Sequence, residues 1–472
     1  MHFGAIILGR TRAADEAAFE AARNGIPALL MPEAGHEGGS DPMPEEGEQV
    51  AQFQDAIARS VETGAWATNG SGSRTGDSAL STIRRTLGEF NLLRSDRRTH
   101  RLEQAGVVID RSSSVALRPE GGISTGSGDL HDAPVIVVAT GDRPRRPRRF
   151  AFDDEIICDA RSILRIDRRP RTLLVIGADS AGCEIACLFA ALGSTVTIVD
   201  RRSRSLRYVD RDLLEVLHTH MRAMGIDLVL DESIEDVTVH RACREPHATV
   251  RLGSGRVEIC DRIVVVAGSE PACAGLGLDR AGVAVDENGF VVVDEFGRTS
   301  RPGVYAAGAV VSCLGGYAEA QQGRLAIRDA LALARVVEQP VPLTIHTIPE
   351  IAMIGITEEV CTRLDVPHVT ATVSFDEITW GQVRNGPGGL LKIVARRGTG
   401  EILGVQVIGR DARDLIHLGG LVMRQAGTLE QLADTIFSST SASEAYWVAA
   451  IRGIERLAAD DSSKGDQSIA PG

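Results

Sequence analysis

Apolar residues near the start of the chain form short runs that turn residues separate. The run Gly4–Leu8 predicts a buried strand, the spacing over Ala13–Asn24 predicts a helix, and Ala28–Met31 predicts a second strand. A strand, a glycine turn, a helix and a strand in this order indicate the beginning of a doubly wound α/β domain. The later apolar run Val135–Val138 predicts another strand.

The same pattern begins again at Thr172. Leu173–Ile176 predicts a strand, Cys183–Leu192 a helix, and Thr195–Val199 a strand that ends before Asp200. The remaining apolar runs predict strands at Ile263–Ala267, Gly303–Ala306, Leu391–Ala395 and Val405–Ile408, and helices at Ala412–Ala426 and Ser443–Ala458. The Arg-rich stretch Arg143–Arg149, with its two prolines, predicts a crossing on the surface.

Composition narrows the function classes. The 472 residues carry a formal net charge of −13, which argues against broad nucleic-acid binding because that requires a basic face. No apolar run reaches the length of a membrane-spanning helix, and the first residues lack the basic start of a signal peptide. We therefore expect a cytoplasmic protein with no membrane partner. None of the eight cysteines precedes Cys158, and their spacing does not suggest a metal site.

The first glycine turn reads Gly9-Arg-Thr11-Arg-Ala-Ala14. A dinucleotide turn needs glycine where the backbone approaches the pyrophosphate, and here Thr11 replaces the second glycine. The acidic residue expected after the next strand is displaced, since Pro32 stands there and Glu33 follows. Two interpretations are open: a distorted dinucleotide site, or a βαβ unit without a ligand. The second is favoured.

The second turn, Gly177 to Gly182, keeps both outer glycines, but Asp179 replaces the middle one. A carboxylate there would repel a pyrophosphate. Asp200 is placed to bind a ribose hydroxyl, whereas Arg201 and Arg202 could accept a 2′-phosphate. The sequence leaves open whether this turn binds a nucleotide.

Several motifs in the same order resemble the flavoprotein pyridine nucleotide-disulfide reductase family. They are Val138-Ala139-Thr140-Gly141, Cys183-Glu184, Val266-Ala267-Gly268, the run from Arg298 to Gly308, Thr347–Ile351, Gly400–Val405 and Glu444–Ala450. The last three are most similar to the soluble pyridine nucleotide transhydrogenases within that family. The resemblance covers roughly residues 3–458.

The resemblance implies an α/β fold with two Rossmann-like doubly wound nucleotide-binding domains and a C-terminal α+β dimerisation domain. An FAD-like domain (1–150 and 269–341) would be split around an NAD(P)-like domain (151–268). A homodimer would form through residues 342–458, and we expect residues 459–472 to be disordered. The candidate cofactor-binding residues are Gly9, Glu33, Gly141, Gly177, Gly182, Glu184, Asp200, Gly268 and Gly308.

Family members pass hydride from a nicotinamide to bound flavin, and many then reduce a Cys-x₄-Cys disulfide, which this chain lacks. Four flavin determinants are altered: Thr11, Pro32, the segment 38–48, and Ala309, where the family has an aspartate. Losing several hydrogen bonds of about 1–2 kcal/mol each would weaken FAD binding greatly. We therefore expect no cofactor, with FAD and NAD(P)H as the alternative.

Three functions follow from this interpretation. The first is a non-redox step, a cyclisation or isomerisation of a small hydrophobic metabolite in biosynthesis. By family position, Tyr317, Gln321 and Gln322 would face the former flavin site and Glu444 could act as the acid or base. For Glu444 we favour an interface or helix-start role, and Ser439 stands where the disulfide reductases have their catalytic histidine. The alternatives are an FAD-dependent NAD(P)H oxidoreductase of transhydrogenase type and a non-catalytic dimeric scaffold.

Overall fold

The computed structural model describes residues 2–32, 52, 81, 85, 93–112, 114–311, 316–333, 340–384 and 388–465. Glu33, the segment 38–48 and most of the predicted helices between residues 50 and 93 lie outside these ranges. The chain forms two compact units. Of the described residues, the first unit contains those of 2–52, 81–149 and 267–333, and the second contains those of 150–266 and 340–465.

The strands, in chain order, are β1 (Ala5–Leu8), β2 (Ala28–Met31), β3 (Val108–Ile109), β4 (Val115–Leu117), β5 (Ile123–Thr125), β6 (Leu130–His131), β7 (Val135–Val138), β8 (Asp142–Pro144), β9 (Ile157–Asp159), β10 (Thr172–Ile176), β11 (Thr195–Asp200), β12 (Ile226–Leu230), β13 (Ile234–His240), β14 (His247–Leu252), β15 (Val257–Cys260), β16 (Arg262–Val265), β17 (Ser269–Pro271), β18 (Val304–Ala306), β19 (Leu343–Ile345), β20 (Ile351–Gly355), β21 (His368–Ser374), β22 (Leu390–Arg396) and β23 (Ile402–Ile408). The helices are α1 (Arg12–Arg23), α2 (Ser180–Ala191), α3 (Arg211–Ala223), α4 (Gly316–Ala330), α5 (Glu358–Arg363), α6 (Thr379–Arg384), α7 (Ala412–Arg424), α8 (Leu429–Ala433) and α9 (Glu444–Gly465), and residues 93–104 are also helical.

The first unit is built around a five-stranded parallel sheet in the order β18-β7-β1-β2-β3. Every residue of β1, β2 and β7 is buried, as expected for parallel strands that are covered on both faces. Helix α1 contacts this sheet with an alanine stripe, and α4 packs closely against α1. At the contact, a Cβ on Gly323 of α4 would lie 2.0 Å from the Ala13 carbonyl oxygen. Glycine therefore allows the two helix backbones to touch.

The second unit contains two larger sheets. One is parallel, in the order β12-β11-β10-β16-β9, and the other is antiparallel, in the order β19-β20-β23-β22-β21. A smaller antiparallel sheet, β13-β14-β15, belongs to the same unit. Helices α7 and α9 pack on the antiparallel sheet, around a core that includes Tyr446, Val405 and Leu391. These layers confirm the predicted fold class.

Two predicted segments differ from the structure. Residues Asp142–Pro144, at the start of the Arg-rich stretch, form β8 and pair with β17 instead of only crossing the surface. Helix α9 continues to Gly465, although we expected disorder from residue 459. The residues from Ala458 onward extend an already formed helix, so no new nucleation is needed. Within the described residues, no helix is long and apolar enough to cross a membrane.

Candidate functional site

The first glycine turn connects β1 to α1. Gly9 has φ of +119°, and a Cβ at this position would lie 2.1 Å from the Ala139 carbonyl oxygen, so the turn requires glycine. Thr11 is the N-cap of α1: its hydroxyl accepts the Ala14 N–H at 3.3 Å and donates to the Ala139 carbonyl oxygen at 2.9 Å. The substituted second position thus ties the turn to the end of β7.

Two further candidate glycines lie at the N-terminus of α1. A Cβ on Gly141, which follows β7, would lie 2.8 Å from Cγ2 of Thr11. A Cβ on Gly308, which follows β18, would lie 3.0 Å from Cβ of Ala13. The structure therefore brings Gly9, Gly141 and Gly308 together at the carboxyl ends of three parallel strands. This is the place where doubly wound folds bind nucleotides.

Gln322, on α4, hydrogen-bonds this cluster of turns. Its Oε1 accepts the Gly308 N–H at 2.9 Å, so the side chain supports the backbone of that turn. The side chain of Tyr317 lies outside the described part of the chain. The catalytic roles predicted for these two residues stay predictions.

Sequence reasoning did not select a buried carboxylate beside Gly308. Glu319, on α4, is 5 % exposed, and its Cγ lies 3.7 Å from the place of a Gly308 Cβ. Ala309 lies in the short 3₁₀ helix Gly308–Val311 and has no polar side chain. The one available signal was an acidic residue in a mostly small and apolar stretch after the Gly308 turn.

The second glycine turn connects β10 to α2. Gly177 has φ of +115°, and a Cβ there would lie 2.3 Å from the Val266 carbonyl oxygen. A Cβ on Gly182 would lie 1.9 Å from the Gly177 carbonyl oxygen, so α2 packs directly on the turn. The two outer glycines therefore have the tight-turn and helix-packing roles of a dinucleotide fingerprint. Gly268, the remaining candidate glycine, belongs to the first unit, where its carbonyl accepts the Arg145 N–H.

Charged side chains surround the second turn. Asp179 is the N-cap of α2 and accepts the Ser180 N–H at 3.2 Å. Arg202 donates to Asp179 at 3.1 Å and to the two oxygens of Asp200 at 3.0 and 2.7 Å. Asp200 also accepts the backbone N–H groups of Ala178 and Arg202. Burial raises the pKa of Asp200, but the hydrogen bonds from Arg202 and Ala178 outweigh it and hold this pKa below its usual value.

The two arginines that the sequence offers for a 2′-phosphate have different surroundings. Arg202 is engaged by the two aspartates, whereas Arg201 lines an open cavity of about 470 Å³. The other residues that line this cavity are Asp231, Glu232, Ser233, Gly253 and Ser254. The cavity therefore has an acidic rim beyond the end of β11.

The chain matches two family models: pyridine nucleotide-disulphide oxidoreductase over residues 3–330, and the dimerisation domain of the same family over residues 341–450. The chain belongs to the pyridine nucleotide-disulphide oxidoreductase family.

Named relatives agree with this membership. The soluble pyridine nucleotide transhydrogenase of Yersinia pestis (strain Pestoides F) is 33 % identical over 343 residues, which cover 70 % of this chain and 72 % of that protein. The crystal structure of LpdA from Mycobacterium tuberculosis has a TM-score of 0.83 at 26 % identity, covering 95 % of this chain and 99 % of the other. The HOCl-induced flavoprotein disulfide reductase RclA from Escherichia coli, as its Cu(II) complex, has a TM-score of 0.81 at 22 % identity, covering 96 % and 99 %.

The expectation that the chain binds no cofactor is wrong. The matched family and the transhydrogenase relative are named for pyridine nucleotides, and the structural neighbour RclA is named as a flavoprotein. The substitutions at Thr11, Pro32 and Ala309 are real features of the sequence, but they do not justify the conclusion drawn from them. A non-redox cyclisation or isomerisation finds no support in the comparisons either.

Buried groups on α2 have shifted pKa values. Glu184 is buried and accepts the His346 N–H at 2.7 Å, and burial raises its pKa to about 7. Burial also raises the pKa of Cys187 to about 12 and that of Cys183 well above its usual value. Thiols that stay protonated are poor nucleophiles. Both thiols are also fully buried, so the pair is placed for core packing instead of exchange with another thiol.

Glu444, the predicted acid or base, begins α9. Its Oε2 is buried and has no hydrogen-bond partner among the described residues. Ser439, at the position of the family's histidine, is exposed in the preceding loop. Among the residues that the structure describes, no group of three or more His, Cys, Asp or Glu side chains could hold a metal ion.

Proposed function

We propose that this protein is an FAD-dependent NAD(P)H oxidoreductase of the soluble transhydrogenase type. The observation that carries the proposal is the meeting of Gly9, Gly141 and Gly308 around the N-terminus of α1. A second turn of the same kind lies at Gly177 in a separate parallel sheet. The relative that shares 33 % identity is a transhydrogenase, which supports this type of reaction.

The residues present fit a flavin nucleotide. The Gly9 turn and the N-terminus of α1 would face its phosphates, because a helix N-terminus favours anions. Glu319 would accept hydrogen bonds from the ribityl hydroxyls, which the missing carboxylate at Ala309 cannot do. Flavin, when bound, supplies a carrier for the hydride of NAD(P)H.

The positions of the cysteines indicate which electron acceptor the flavin would use. No cysteine precedes Cys158, so the chain lacks the family's disulfide after the first βαβ unit. Because the thiols on α2 are buried and protonated, they do not replace it. A second pyridine nucleotide is therefore the proposed acceptor, with net transfer of one hydride from NADPH to NAD⁺ or the reverse.

The proposal includes a cytoplasmic homodimer that forms through residues 342–458. The match to a dimerisation domain suggests self-association. Large apolar side chains of this region are exposed in the single chain: Ile436 at 96 %, with Leu421 and Trp447. If these side chains form one contiguous apolar patch in the folded protein, it would be the kind of surface that a partner covers.

The purified protein, supplied with excess FAD and then freed of unbound flavin, is expected to keep a visible flavin spectrum. NADPH should bleach that spectrum without oxygen, and added NAD⁺ should restore it while NADH forms. Heat-denatured protein, treated in the same way, is the control for flavin carried over. A folded protein that retains no FAD, or whose flavin NAD(P)H does not reduce, would contradict the proposal.

Replacing Glu319 by alanine is expected to weaken FAD binding about tenfold, because the variant loses a hydrogen bond between the carboxylate and a ribityl hydroxyl. The double variant Glu319→Ala/Ala309→Asp should recover most of the affinity, because it returns a carboxylate to the family position. The dissociation constant of FAD, from quenching of flavin fluorescence, is the measurement. Equal affinities of the wild type and the Glu319→Ala variant would remove Glu319 from the site.

A further inference from the structure

Asp179 stands at the one glycine position of the second turn that this chain does not keep. Its backbone is extended (φ −88°), and its side chain caps α2 through the Ser180 N–H. A pyrophosphate in a Rossmann fold lies at this same helix N-terminus, where it accepts backbone N–H groups. The carboxylate of Asp179 therefore lies at the N-terminus of α2, where the coenzyme's phosphates would bind.

Arg202 holds that carboxylate in place. Its Nη1 donates to Asp179, while its Nε and Nη2 bind the two oxygens of Asp200. Asp200 also accepts two backbone N–H groups, so all four of its acceptor positions are used. In this arrangement Asp200 offers no free acceptor to a ribose hydroxyl, and three of the five N–H donors of Arg202 are bound to carboxylates instead of a phosphate.

The two ion pairs of Arg202 differ in exposure. The side chain of Asp200 is 7 % exposed, whereas that of Asp179 is 46 % exposed. The pair with Asp200 is bidentate and sheltered, and the pair with Asp179 is a single contact at the surface. Because exposed ion pairs are weak, the ion pair between Arg202 and Asp179 breaks more easily than the ion pair between Arg202 and Asp200.

We propose that Asp179 is an internal competitor for the coenzyme's pyrophosphate, so that NAD(P)H binds only after the contact between Asp179 and Arg202 opens. The inference rests on the proposed function, since it concerns the pyridine-nucleotide turn of the same enzyme. Opening the contact exposes the N-terminus of α2 and one face of the Arg202 guanidinium to the coenzyme's phosphates. Asp179 thereby sets the affinity for the coenzyme.

The test measures binding of ADP-ribose, the redox-inactive part of the coenzyme, to the FAD-supplemented protein by titration calorimetry. Asp179→Ser keeps an N-cap oxygen and removes the charge, and Asp179→Gly restores the family residue. Both variants are expected to bind ADP-ribose about tenfold more tightly than the wild type, because a like charge next to the pyrophosphate is gone. Two variants are used so that the test can still be made if one of them fails to fold.

Asp227→Asn is the matched control. Asp227 belongs to the same unit, is half exposed and pairs with Arg256, so this variant removes one negative charge away from the turn. It should bind ADP-ribose like the wild type. Unchanged or weaker binding by both Asp179 variants would overturn the inference. A failure of flavin reduction by NAD(P)H would instead contradict the proposed function, because ADP-ribose binding involves no electron transfer.

Discussion

Replacing Lys392 by methionine is expected to lower the free energy of unfolding by about 3–5 kcal/mol, the usual cost of removing one partner from a buried ion pair. Lys392, on β22, is 2 % exposed, and its Nζ lies 3.0 Å from Asp210, 2.9 Å from Asp212 and 2.5 Å from Glu358. Asp210, just before α3, is fully buried and also accepts N–H groups from the start of α5 and from Gln406. Without the ammonium group, this carboxylate would remain charged in the interior.

The pKa directions show that both groups keep their charges. Burial lowers the pKa of Lys392, but the bonds to Glu358 and Asp212 outweigh it and raise the pKa overall. Burial raises the pKa of Asp210, but the ammonium of Lys392 and the backbone N–H groups of α5 bring it below its usual value. The cluster thus joins α3 and α5 to the antiparallel sheet by opposite charges.

Urea unfolding, followed by the fluorescence of Trp380 and Trp447 in the same unit, measures this effect. Glu358→Gln is the matched control: its side chain is 40 % exposed, so the loss should not exceed about 1 kcal/mol. The double variant Lys392→Met/Asp210→Asn should be more stable than Lys392→Met alone, because it removes the stranded charge. A Lys392→Met variant within about 1 kcal/mol of the wild type would show that the cluster is not a stabilising ion pair.

The strands and turns of this fold were predictable from local pattern. Parallel strands buried on both faces are continuous apolar runs, so β1, β7 and β10 were found within about one residue of their observed bounds. The Gly9 and Gly177 turns could be recognised because each follows such a run directly. These features depend on neighbours in sequence.

The Lys392 cluster and Glu319 could not be predicted in this way. The sequence shows only that Lys392 interrupts the apolar run of β22, and that it is one of two lysines. Its partners come from α3 and α5, which are distant along the chain, so the pairing depends on how these helices pack. Similarly, the approach of Glu319 to Gly308 results from the return of α4 onto the first sheet.

The mistaken expectation about cofactors has a physical origin. The prediction assumed that each altered flavin determinant removes a contact to the cofactor and that no other residue replaces it. In the structure, Thr11 caps α1 and binds the Ala139 carbonyl, so the turn keeps its shape despite the added side chain. A carboxylate from another element lies next to the position where Ala309 lacks one. A motif can therefore change in sequence while the geometry around it is kept.

Glu184→Gln is expected to remove a pH dependence of about 2–3 kcal/mol from the free energy of unfolding between about pH 5 and about pH 8. Burial raises the pKa of Glu184 from 4.5 to about 7, so the folded protein holds a proton there that the unfolded chain has already released. Because the folded state binds more protons in this interval, its stability falls as the pH rises. Above about pH 7 the buried carboxyl must ionise, with the His346 N–H as its hydrogen-bond donor among the residues that the structure describes.

The difference in free energy of unfolding between wild type and Glu184→Gln isolates this group, because other titrating groups cancel. The stability of the Glu184→Gln variant relative to the wild type should increase from about pH 5 to about pH 8, since an amide carries no charge to bury. Glu235→Gln, an exposed position on β13 in the same unit, removes a carboxyl from the surface and should give a flat difference. If the Glu184→Gln difference were also flat, Glu184 would be ionised in the folded protein throughout, and burial would not control its proton.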